Sequence, residues 1–151
     1  MWSAVRSEVM YGQLLDLISQ ASDDENIDAA LRSRDDLLGV FGDPTVTGKP
    51  SGDDLREGKR TVLLATALKR ADERDPDAVG FLRAKIGTDL SDDEVARIRA
   101  ILVDVGAVEH IERQITLRAD QAMAVLEASG VTGPAKRQLA ELAIKATQRT
   151  Q

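Results

Sequence analysis

Apolar residues recur at every third or fourth position along most of this chain, and that period selects the α-helix over the strand, whose side chains alternate with period two. Val95, Ile98, Ile101, Leu102 and Val105 make one stripe, and Val108, Ile111, Ile115, Ala119, Ala122 and Leu126 make another. Aromatic residues are scarce while Ala, Leu, Arg and Glu are abundant, a set that favours helix. The expected class is all-α. At 151 residues the chain supports one domain, spanning 1–151, with a useful core. It has no cysteine, which agrees with a reducing cytoplasm as its compartment. A net charge of −6 offers no basic field to displace counterions, so no nucleic-acid partner is expected. No apolar run approaches the ~20 residues of a membrane span, and no basic-then-apolar leader opens the chain.

Taken in order, residues 3–21 read as an amphipathic helix with Gly12, Gln13 and Asp16 off its apolar stripe. Ser22 and Glu25 form a capping-box pattern. The next helix holds Ile27, Leu31, Leu38 and Phe41 and should stop before Pro44. Residues 44–54 read as a loop. From there a helix is predicted to resume near Asp54–Glu57 and run to about Ala71, apolar on more than one side and so the most buried. Asp75-Pro76 opens a short helix ending near Gly87, and Ser91 with Glu94 forms a second capping box. A long helix over 107–129 and a last one starting at Gly133-Pro134 complete the chain. His110 lies off the apolar stripe and reads as a lone surface histidine, with no second His or Cys to build a transition-metal site.

The chemistry is concentrated between positions 35 and 61. Asp35, Asp36, Asp43, Asp53 and Asp54 are interleaved there with Lys49, Arg56, Lys59 and Arg60. Adjacent carboxylates in a cleft stay ionised only beside cations. Magnesium, a hard cation that prefers oxygen ligands and shared phosphates, would supply that charge. Lysines nearby would add point charges for phosphate oxygens. By contrast, the Asp92-Asp93 pair sits in the first turn of a helix, where the macrodipole favours acids without any metal.

This stretch resembles the second aspartate-rich region of the trans-polyprenyl diphosphate synthases, the geranylgeranyl and farnesyl diphosphate synthase family. The matching residues are Asp35-Asp36, Gly42-Asp43, Gly48-Lys49-Pro50, Gly52-Asp53 and Leu55-Arg56-Glu57-Gly58-Lys59 with Thr61; upstream, Gly12-Gln13-x-x-Asp16 resembles the family's G-Q-x-x-D helix. The resemblance implies a partial helical bundle of the isoprenoid-synthase type. It implies Mg2+ as cofactor and magnesium-dependent transfer of an allylic prenyl diphosphate onto isopentenyl diphosphate. By the same resemblance Asp35 would be a metal ligand and Asp36 would support metal-bound water. Lys49, Lys59, Gln13 and Asp53 would line the diphosphate.

The pattern also departs from the family's. Gly39 stands where the last carboxylate of D-D-x-x-D belongs, and Leu31-Arg32 replaces Phe-Gln. The family's first aspartate motif has no counterpart, and only residues 17–34 separate Asp16 from Asp35, so an internal deletion and impaired catalysis are expected. Exposed packing faces would favour a homo- or hetero-oligomer with a prenyl synthase. A non-catalytic subunit bound to a full-length synthase is the second reading.

Overall fold

The computed structural model describes residues 26–47, 50 and 52–148. The predicted helix over 3–21, the Ser22 capping box, Gln13 and Lys49 lie outside the described residues. All regular structure among the described residues is helical: α1 (Asn26–Phe41), α2 (Pro44–Thr47), α3 (Asp53–Arg56), α4 (Val62–Asp72), α5 (Pro76–Lys85), α6 (Asp92–Asp104), α7 (Ala107–Ala128) and α8 (Gly133–Thr147). None of these helices is long and apolar enough to cross a membrane.

The chain divides into two compact units, one of residues 33–114 and another that includes 26–32 and 115–148. In the first, α4 packs on α5 and α6, and these two pack on each other. Leu55, Leu63, Leu82, Ile98 and Leu102 have no exposed surface there. Burying such side chains is the main source of stability for a domain of this size. In the second unit Ile27, Ala122 and Ala143 form a small core, with Leu31 and Met123 packed against it.

Two sequence expectations change here. The segment 44–54 is not all loop: Asp43 accepts from the Thr45 backbone N–H and hydroxyl, both at 2.7 Å, and this local cap starts α2. The helix expected to run from Asp54 to Ala71 is two helices. Gly58 takes a left-handed φ of +67° and breaks it, and Thr61 Oγ1 then accepts from Leu64 N at 3.2 Å to start α4 afresh. Nor is α4 buried all round, because Val62 is 60% exposed and Leu63, Leu64, Ala67 and Ala71 keep to one face.

The capping box before α6 forms as expected. Glu94 N donates to Ser91 Oγ at 3.3 Å, and Ser91 N donates to Glu94 Oε2 at 2.9 Å. Ser91→Ala should therefore cost about 1 kcal/mol in urea unfolding. The hydrogen bond from Lys85, then that from Ser91 N, hold the Glu94 carboxyl below its ordinary value. A depressed pKa means that this contribution is present above the unfolded-state value and is lost as pH falls through the lower folded-state value. A pH series should show the stability gap between wild type and Glu94→Gln closing in acid.

Candidate functional site

Helix α1 sets one side of the site. Arg34, Leu37 and Val40 are buried at helical spacing, which fixes the direction of the residues between them. Arg34 is a charge within that buried row, and Glu112 meets it with two hydrogen bonds of 2.7 and 2.6 Å, the bidentate geometry that suits a guanidinium. Asp35 and Asp36 follow on the side of α1 that turns away from this row. Asp35 is exposed. Asp36 is only 14% exposed and faces Lys59.

The other side is the turn after α3, and each residue of its Leu-Arg-Glu-Gly-Lys run has a separate physical task. Leu55 is buried and its carbonyl accepts from Gly58 N at 3.3 Å and Gly87 N at 2.8 Å. Arg56 donates to the Leu90 carbonyl at 3.2 Å and to Asp92 at 3.1 Å, tying the turn to the start of α6. Gly58 supplies the left-handed backbone, and a Cβ there would lie 2.8 Å from the Gly87 Cα. Lys59 N donates to the Asp54 carbonyl at 3.0 Å, which folds the lysine back over α3.

That fold-back assembles three charges. Lys59 Nζ lies 3.2 Å from Asp36 Oδ1 and 3.0 Å from Asp54 Oδ2. Asp54 is 9% exposed and Lys59 48%, so the ammonium sits at the mouth with a carboxylate on either side of it. Burial lowers the Lys59 pKa, but the hydrogen bonds to Asp54 and Asp36 outweigh it and hold the ammonium above its ordinary value. An ammonium has three donors, and two are directed at carboxylates. Two acids against one base leave a net charge of −1, before Asp35 and Asp53 are added. A surplus of carboxylate oxygen beside a fixed ammonium suits a hard cation together with a polyanion.

The structure brings Asp36 and Lys59 together and leaves Asp35 on the adjoining exposed turn of α1. Asp53, half-buried, opens α3. Its neighbour Asp54 is the one that reaches Lys59, and the sequence gave it a charge but no role; the only local signal was its position five residues before Lys59, where the chain doubles back. Asp92, expected to serve only its helix start, also accepts from Arg56. His110 is half-buried rather than a lone surface group, with its Nδ1 3.2 Å from an Arg70 nitrogen. Among the described residues no three His, Cys, Asp or Glu side chains converge as a metal cage.

Residues 25–102 match the family model described as polyprenyl synthetase. A geranylfarnesyl diphosphate synthase from Aeropyrum pernix is 40% identical over 101 residues, covering 67% of this chain and 30% of that protein. Among solved structures, a geranylgeranyl pyrophosphate synthase from Corynebacterium glutamicum, complexed with isoprenyl diphosphate and magnesium, is similar with a TM-score of 0.80 at 46% identity. That similarity covers 83% of this chain and 35% of that one. A polyprenyl synthase from Caulobacter crescentus CB15, complexed with calcium and isoprenyl diphosphate, gives a TM-score of 0.71 at 30% identity, over 82% of this chain and 37% of that one. The chain thus spans well under half the length of the relatives it matches.

Proposed function

This chain belongs to the polyprenyl synthetase family, and from that premise we propose that the rim from Asp35 to Lys59 binds the diphosphate of a prenyl substrate with magnesium. The observation that carries the reading is the Lys59 ammonium held at the mouth between Asp36 and Asp54, which arrive from different elements. The reaction it would serve is transfer of an allylic prenyl group from its diphosphate onto isopentenyl diphosphate.

The donor set fits magnesium in one specific way. Magnesium keeps several waters and is commonly held by one or two carboxylates plus substrate phosphates, not by an all-protein cage. Asp35 and Asp36 offer such carboxylates, and the lack of a converging triplet among the described residues agrees with an ion that arrives with its diphosphate. Bound there, it would neutralise charge building on the departing pyrophosphate. Lys59 would donate to the same oxygens from a fixed position, an electrostatic contribution needing little reorganisation. Lys49, Gln13 and Asp53 are assigned to the diphosphate on the strength of their motif positions.

A leaving group of that charge calls for more carboxylate and cation than this rim holds. We therefore place catalysis in an assembly where further ligands face the diphosphate, and expect little elongation by these 151 residues alone. Incubating the pure chain with magnesium chloride, an allylic diphosphate and isopentenyl diphosphate, with and without a full-length synthase, tests this. Longer prenyl products from the chain alone would give it the complete reaction. Altered products only when the synthase is present would make it a subunit. No diphosphate binding and no effect in either arm would overturn the reading.

A further inference from the structure

The row of acids on α1 ends in a gap. Asp35, Asp36 and position 39 are neighbours at three- and four-residue spacing, one turn apart, yet position 39 is glycine, a poor residue for a helix interior. The gap is filled from outside the helix. A Cβ added to Gly39 would lie 2.2 Å from Asp54 Oδ2 and 2.4 Å from its carboxyl carbon, so the space belonging to a side chain at 39 already contains the Asp54 carboxylate. That same Oδ2 takes the hydrogen bond from Lys59 Nζ at 3.0 Å, and the Asp54 side chain is 9% exposed.

We propose that Asp54, seated in the notch left by Gly39, is a positioning residue that completes the carboxylate row of α1 from α3 and fixes Lys59 for the diphosphate. This rests on the diphosphate-binding reading and goes beyond it by making positions 39 and 54 mutually exclusive. A side chain at 39 requires a small residue at 54, and an acid at 54 requires glycine at 39. One carboxylate serves the place, and either element can supply it. The ammonium gains its direction from that carboxylate and from Asp36, both nearly buried, so its own 48% exposure leaves it facing the mouth.

The test uses the full chain in five variants, read by thermal unfolding without ligand and by calorimetric titration of inorganic pyrophosphate in magnesium chloride. Gly39→Ala should lower the midpoint by several degrees in the wild type. With Asp54→Ala already present it should be neutral or stabilising, since alanine is the better helix former and the clash is gone. Asp54→Ala and the isosteric Asp54→Asn should weaken pyrophosphate binding roughly tenfold or more, the scale of a lost charged hydrogen bond. Gly39→Asp with Asp54→Ala returns a carboxylate to the same place from α1, and should recover binding to within a few-fold. Equal destabilisation by Gly39→Ala in both backgrounds, or unchanged binding in both Asp54 variants, would overturn the proposal. Should the wild type bind no pyrophosphate, the diphosphate reading falls, while the thermal comparison still decides between competition and independence of the two positions.

Discussion

Replacing Gly58 by alanine should destabilise the chain by about 3 kcal/mol or more, the largest effect expected from a single added methyl group. Two costs combine. The left-handed backbone at φ +67° opposes any Cβ by roughly 1–2 kcal/mol. The new Cβ would also sit 2.8 Å from the Gly87 Cα, which is backbone and cannot swing aside. Separating the two strands of chain would stretch the Gly87 N to Leu55 carbonyl bond, now 2.8 Å. Gly80 provides the matching control. It lies inside α5 with nothing within 4 Å of an added Cβ, so Gly80→Ala should stabilise by about 0.5–1 kcal/mol. Urea unfolding of the two variants should thus give shifts of opposite sign. Because Lys59 follows Gly58 directly, Gly58→Ala should also displace the ammonium from Asp36 and Asp54.

The second large effect is expected at Lys59 itself. Lys59→Met keeps most of the apolar stem and removes the charge, leaving Asp36 and Asp54 close together with their shared cation gone. Breaking a buried pair by deleting one partner costs up to about 3–5 kcal/mol; with Lys59 half-exposed, water screens the acids and a loss of about 1–3 kcal/mol is expected. The functional loss should be the larger of the two. The thermal stabilisation that magnesium pyrophosphate gives the wild type should vanish in Lys59→Met and persist in Lys69→Met, which alters an exposed lysine on α4. A ligand-induced shift preserved in Lys59→Met would show that the ammonium takes no part in binding.

How much of this could be read from the sequence depended on how local the controlling interaction was. The start of α6 was legible because Ser91 and Glu94 bond each other within a single turn. The stripes of α6 and α7 were legible because Ile98, Leu102, Ile111 and Ile115 repeat the helical period on one side. The acid-and-lysine stretch was recognisable as one functional unit from its order alone. What failed was whatever depended on chain distant in sequence. The break at Gly58 answers to Gly87, an approach that nothing near position 58 announces. His110 read as a surface group because Arg70, its partner, is 40 residues away. Gly39 read as a missing acid because Asp54, which fills its place, belongs to a different helix. Similarly, Arg34 in a buried row looks like an error of pattern until Glu112 is brought to it.

The account turns on a single physical claim, that Asp36, Asp54 and Lys59 act together as a grip on a diphosphate shared with a divalent ion. Titrating inorganic pyrophosphate into the chain by calorimetry, with and without magnesium chloride, and repeating the titration with Asp36→Asn, tests it most directly. Saturable binding that needs magnesium and is lost in Asp36→Asn is the predicted result. Binding of equal strength without the metal, or undiminished in the Asp36 variant, would contradict it.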